Sequence, residues 1–174
     1  MALATHFVST FRALTFALMA AMLVPANTTQ AIESAQERAD YSATVQFERL
    51  REDADEGSAL AQFVLGVMYR FGEIVPQDYT EAAKWISRAA DQGLALAQFV
   101  LGGMYALGQG VPEDAVRAHM WLDLSAAQAA QIIGGNNLLS DANEMRDALE
   151  QTMSPAQIEE SHKLAREWKP NARM

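Results

Sequence analysis

Apolar and polar positions along this chain follow a helical period, and the whole pattern then recurs. A shift of 36 positions places GSALAQFVLGVMYRFGEIVPQDYTEAAKWISRAADQ, residues 57 to 92, on GLALAQFVLGGMYALGQGVPEDAVRAHMWLDLSAAQ, residues 93 to 128. Nineteen of the 36 positions are identical, including the run ALAQFVLG. A period of this length marks stacked helix–turn–helix units, because one such unit cannot bury its own apolar face. Each unit predicts two helices. The first spans about 59 to 71 and 95 to 107, preceded by Gly57 or Gly93 and stopped at Gly72 or Gly108, residues suited to the left-handed conformation that ends a helix. The second spans about 79 to 91 and 115 to 132, with Asp78 and Asp114 as N-caps. Glu81 stands where a capping box wants it, whereas the second unit has Arg117 there.

The flanks read as degenerate ends of the same array. Residues 37 to 56 end against Gly57 as residues 79 to 92 end against Gly93, which makes them half a unit with Phe47 and Leu50 on its apolar side. Eight acidic and three basic residues between Glu33 and Glu56 predict a solvated acidic face. After the array, residues 37 to 132, GGNN at 134 to 137 breaks the helical pattern before a segment of about 138 to 152. Ser154-Pro155 supplies an N-cap and a first-turn proline, and Gln157 completes a capping box for a last helix ending near Trp168. Residues 133 to 169 are thus two capping helices, and 170 to 174 a tail. The fold class expected is all-α, a short superhelix of tetratricopeptide-like hairpins with about seven helices after residue 31.

Two features inside the units bear on packing. Gly66 and Gly102 recur in mid-helix, where glycine costs about 1 kcal/mol against alanine, so their recurrence predicts a close helix crossing. Phe63/Phe99, Tyr69/Tyr105 and Trp85/Trp121 repeat at one offset and read as core.

The first thirty-one residues form a separate pattern. Arg12 is followed by twelve apolar residues, 13 to 24, and then by PANTTQA, in the order of a secretory signal peptide. The apolar run is too short for a bilayer, which takes roughly 20 residues. Small residues offer cleavage after Ala26 or after Ala31; the second is preferred, and the mature chain then starts at Ile32 with no transmembrane span.

Composition narrows the function classes. The formal charge is −9, with 13 basic and 22 acidic residues, and no basic cluster exists to hold a phosphate backbone, so nucleic acid is excluded as a partner. Cysteine is absent, which removes disulfides, thiolate metal sites and cysteine nucleophiles together. A surplus of alanine favours packed helices over sheets.

Candidate chemistry is sparse. His6 lies in the signal segment, His119 stands where unit one has Ala83 and reads as a partly exposed helix residue, and His162 reads as surface. No H-E-x-x-H or related ligand motif is present, so no metal site is expected. Ser154 reads as an N-cap, and Ser87, Ser125 and Ser140 lack the setting of a nucleophile. No catalytic residue and no cofactor site follow. Residues that break the repeat are released from its packing rule and can line a recognition surface; on that ground Arg70, Tyr79 and His119 are candidate partner-binding residues.

The pattern from Ala61 to Gly93, A-x-x-x-LG-x-x-Y-x-x-G-x-x-V-x-x-D-x-x-x-A-x-x-W-x-x-x-A-A-x-x-G, resembles the Sel-like repeat family, relatives of the tetratricopeptide repeat. The second unit keeps Ala97, Leu101, Gly102, Tyr105, Gly108, Val111, Asp114, Ala118, Trp121 and Ala126, and departs at Ser125 and Ala129. The resemblance covers about residues 40 to 169. It implies a helical scaffold or adaptor, here an exported one without catalysis, whose partner is another envelope or secreted protein. A purely structural capping module is the alternative, with an envelope hydrolase or β-lactam-binding protein behind it. Family members with reported β-lactam binding carry a disulfide in each unit, which this chain cannot form.

Overall fold

A computed structural model describes residues 26 to 171 except Ile133. The apolar segment 13 to 24 lies outside the described residues. The chain divides into two units, Met1–Val45 and Gln46–Met174. The described part of the first is helical throughout.

Seven helices follow one another among the described residues, with no strand: α1 (Ala26–Asp55), α2 (Ala59–Phe71), α3 (Tyr79–Asp91), α4 (Ala95–Leu107), α5 (Ala115–Ala129), α6 (Asn136–Glu150) and α7 (Pro155–Glu167). Helix α1 begins well before the expected residue 37, and α5 stops three residues before the expected 132. From α2 to α6 each helix packs on its neighbour in sequence, and α7 packs back on α5. This is the all-α superhelix of stacked hairpins.

The local signals act as their chemistry requires. Gly72 and Gly108 end α2 and α4 at φ 75° and 64°. The Asp78 carboxylate accepts from the Thr80 and Glu81 N–H groups, and that of Asp114 from Arg117 N–H. The expected capping box at Asp78 forms only by its first half, because the Glu81 carboxylate pairs with Lys84 one turn on. At α7 the box is complete: Ser154 Oγ accepts from Gln157 N–H, and the Gln157 side chain accepts from Ser154 N–H.

The recurring glycines mark the crossings within each hairpin. A Cβ on Gly66 would lie 2.5 Å from Ile86 Cγ1 and 3.2 Å from the Ala82 carbonyl; on Gly102 it would lie 2.9 Å from Leu122 Cγ and 3.1 Å from the Ala118 carbonyl. The two contacts differ by the repeat length at every partner. Trp85 and Trp121 are buried, while Phe63, Tyr69, Phe99 and Tyr105 pack against the core half-buried.

Buried glutamines join one hairpin to the next. Gln62 Nε2 donates to the Ala54 carbonyl at the end of α1, and Gln98 Nε2 donates to the Ala90 carbonyl at the end of α3. Each adds a second donor to a helix-end carbonyl that also accepts from the following Gly57 or Gly93 N–H. Both residues belong to the shared run ALAQFVLG, whose glutamine has no apolar packing role to explain it.

The C-terminal helices close the second hairpin. Trp168, which ends α7, meets Trp121 edge to face with ring centres 6.1 Å apart, and Asn171 N–H donates to the Asp91 carbonyl. Six acidic residues between Glu37 and Glu56 are solvent-exposed, from Glu37 on α1 to Glu56 at its end.

Candidate functional site

Two places collect the residues that break the repeat. The first lies where the first helix of each hairpin ends. Arg70 reaches across to the second connector, its Nη2 donating to Gln109 Oε1 at 3.3 Å, and its guanidinium lies 5.5 Å from the centre of the Phe71 ring. Tyr79 Oη accepts from Gln77 Nε2 at 3.2 Å. Gly110, at φ 73°, lies so close to Tyr79 that an added Cβ would overlap its carbonyl oxygen. Arg70 and Tyr79 therefore share a surface with the connector of the following unit. Phe71 and Leu107 occupy one repeat position and are 61% and 62% exposed; Ile74 beside them is 60% exposed.

The second place is internal. His119 is fully buried, so the expectation of a partly exposed helix residue is corrected. Helices α6 and α7 fold over the side of α5 that carries it, and His119 thereby lies outside the surface shared by Arg70 and Tyr79. His119 Nε2 lies 3.0 Å from Glu150 Oε1 of α6, and Nδ1 lies 3.0 Å from Ser161 Oγ of α7 and 3.5 Å from Asp123 Oδ2 one turn along α5. Ser161 Oγ gives its one proton to the Ile158 carbonyl at 2.7 Å. It can only accept from Nδ1, and Glu150 can only accept from Nε2, so both ring nitrogens face acceptors. Burial works against the charged imidazolium, but the hydrogen bonds and charges of Asp123 and Glu150 outweigh it and hold the His119 pKa above its ordinary value.

Asp123 sits at the centre of this group. Its Oδ2 is 3.5 Å from His162 Nε2 on α7, and its Oδ1 is 3.4 Å from Arg146 Nη1 on α6. Burial raises its pKa, but the hydrogen bond from His119, together with the charges of His119, His162 and Arg146, outweighs that and holds the carboxyl below the usual range. His162 is 41% exposed at its side chain, in agreement with a surface reading. Its ring meets His119 edge to face at 5.3 Å.

The Ser161–His119–Glu150 contacts imitate a hydrolase triad only in residue type. Ser161 is fully buried in the middle of a helix and its proton is committed to a backbone carbonyl, so no substrate carbonyl can reach it. Ser125, also buried, donates to the Ala95 carbonyl and Ser154 caps α7. His119, Asp123 and His162 do offer one donor atom each within 4.8 Å of one another, a grouping that could hold a metal ion. The sequence hides it, because His162 is 43 residues from His119 and no ligand motif joins them.

Comparison with known proteins agrees with this architecture. The Sel1 repeat family matches residues 59–94 and 95–129. A crystal structure of a protective antigen present in uropathogenic Escherichia coli strains, displaying an SLR fold, is 33% identical, with a TM-score of 0.61, over 70% of this chain and 24% of that one. A Sel1 repeat protein from Oxalobacter formigenes is 43% identical over 52% of this chain and 26% of that one, with a TM-score of 0.46. The chain thus spans about a quarter of the length of each. No curated protein matches it. With two consecutive repeats matched and their helix caps, crossings and inter-unit hydrogen bonds in place, the chain carries two tandem repeats of the Sel1 family.

Proposed function

We propose that the chain is an exported interaction module without catalysis, which recognises another envelope or secreted protein through the surface containing Arg70 and Tyr79. The observation that carries this reading is the pair Phe71 and Leu107. They are large apolar residues at one repeat position, both more than half exposed, beside an arginine and a tyrosine. Arginine and tyrosine are frequent interface anchors, and apolar side chains around them exclude water from the contact. Their positions on helix ends and connectors leave the stack itself untouched, so binding and folding are separable. Among the described residues no helix is long and apolar enough to cross a membrane. Export is supported by the sequence of residues 12 to 31, and the mature protein then starts at Ile32.

Two measurements test the reading. Crosslinking in an envelope extract captures a partner of the wild-type protein, and the affinity of that partner is then measured for the Arg70→Ala/Tyr79→Ala double variant. A loss of about 2 kcal/mol, roughly thirtyfold, is expected with helical content and melting unchanged. Unchanged affinity in the folded double variant rejects this surface. Export is tested by the N-terminal residue of protein recovered from the envelope fraction: Ile32 is expected, and an intact Met1 on cytoplasmic protein rejects it.

A further inference from the structure

We propose that His119, Asp123 and His162 form a binding site for a divalent ion of the zinc class, which ties α5 to α7. The spacings argue for it first. Both imidazole nitrogens converge on one oxygen, Asp123 Oδ2, at 3.5 Å each. A hydrogen bond of this kind prefers roughly 2.7 to 3.2 Å, so neither approach is a good one. Ligand atoms about 2.0 Å from a tetrahedral ion lie roughly 3.3 Å apart, which is close to the two histidine–aspartate separations, and all three ligand atoms lie within 4.8 Å of one another. Two imidazoles and one carboxylate are the donor set that suits zinc, and three protein ligands are what an open zinc site uses.

The surroundings are arranged as a metal-binding histidine needs them. Glu150 accepts from His119 Nε2–H, and a carboxylate on the far nitrogen fixes the tautomer that presents Nδ1 to an ion. Ser161 accepts from Nδ1–H when no ion is bound; when the ion takes that proton's place, Ser161 keeps its own bond to the Ile158 carbonyl, and no buried donor is stranded. Arg146 holds Asp123 Oδ1 and leaves Oδ2 to the two imidazoles. Asp123 and His162 also line an open cavity of about 310 Å³ with Leu124, Ala127, Ala165 and Arg166. An ion enters from that side, and water completes its shell there.

The backbone supports the same reading. His119 and Asp123 are one turn apart on α5, which places them on one face. His162 adjoins Ser161 on α7, a helix anchored by its own capping box and by Trp168 on Trp121. The site therefore joins two already ordered elements and needs only side-chain adjustment of the half-exposed His162.

The test uses the full chain without a polyhistidine tag, stripped with a chelator and titrated calorimetrically with Zn²⁺. One ion per chain is expected, with a rise in melting temperature. Co²⁺ in its place should give a visible absorption that Zn²⁺ abolishes. The decisive variant is His162→Ala, whose side chain is the half-exposed member of the site. It should melt like the metal-free wild type yet bind Zn²⁺ at least about a hundredfold more weakly, since loss of an outer-shell partner alone costs about 10- to 100-fold. Glu150→Gln should keep the stoichiometry and weaken binding by about tenfold. His6→Ala should change nothing. No saturable binding, unchanged affinity in His162→Ala, or loss of binding in His6→Ala overturns the assignment.

Discussion

Units one and two differ at seventeen of 36 positions, and the differences fall into two kinds. At some positions the changed residue reaches the surface, as half-buried Arg70 against Ala106 or exposed Tyr79 against Ala115. At others it faces a different neighbour. Ala83 is buried in the cluster that contains Ala97, Leu101 and Met104 of the next unit, where the approach of α4 leaves room for a methyl group. Its counterpart His119 meets α6 and α7 instead, where Glu150 and Ser161 supply hydrogen-bond partners and space for a ring. A broken repeat therefore marks a changed neighbour as readily as a free surface, and only burial tells the two apart.

The part of the comparison that does not change predicts the largest effect. Gly66 against Ile86 and Gly102 against Leu122 are one contact repeated. Leucine at either glycine has to displace a neighbouring backbone carbonyl or a buried side chain, at a cost of about 3 kcal/mol. Thermal melts of Gly66→Leu and Gly102→Leu should both show it, with Arg70→Ala close to wild type as the contrast. Wild-type melting of both leucine variants would mean that the hairpins do not cross at these residues.

The inter-unit glutamines sharpen the comparison further. Gln62 is fully engaged: its Nε2 donates to the Ala54 carbonyl and its Oε1 accepts from Gln92 Nε2 at 2.8 Å. Gln98 donates to the Ala90 carbonyl, but its buried Oε1 has no partner. Replacing Gln62 by leucine removes two hydrogen bonds, strands the half-buried Gln92 amide without its acceptor and leaves the Ala54 carbonyl with only the Gly57 N–H, with an expected loss of about 2 kcal/mol. Replacing Gln98 by leucine removes one hydrogen bond to a carbonyl that keeps the Gly93 N–H, and it also removes an unsatisfied oxygen, so the expected loss is nearer 1 kcal/mol. Urea unfolding of the two variants compares them, and a larger loss for Gln98→Leu would show that its oxygen is satisfied in solution.

Much of this was legible in the sequence. The helix ends at Gly72, Gly108, Asp78, Asp114 and Ser154 follow from residue chemistry that acts over three or four positions, and local rules carry that far. The glycine crossings were legible because they recur. The cluster around His119 was not, since its members come from α5, α6 and α7 and only the docking of the capping helices brings them together. The glutamine links were visible as identities, yet a repeated polar residue inside an apolar run reveals its partner only when the end of the preceding helix is placed beside it.

The smallest predicted effect concerns the connector. Ile74 and Gly110 occupy one repeat position and adopt nearly the same left-handed backbone, at φ 70° and 73°. Gly110 has to be glycine twice over, since a side chain there would strain the backbone and run into the Tyr79 carbonyl. Ile74 bears the backbone strain without that obstruction and projects its side chain into solvent. A non-glycine residue in this conformation costs roughly 1 to 2 kcal/mol. Glycine would relieve that cost but add roughly 0.4 to 1 kcal/mol of unfolded-state entropy. Ile74→Gly is therefore expected to stabilise the fold by about 0.5 to 1 kcal/mol, read as a higher urea midpoint at constant slope. The same variant should bind the captured partner more weakly, because it deletes an exposed apolar side chain beside Phe71. Weaker binding would tie the strain kept at Ile74 to the proposed recognition surface. A stabilised variant with undiminished binding would remove Ile74 from that surface while leaving the repeat geometry intact, and a destabilised one would show that the side chain contributes packing the exposed position does not suggest.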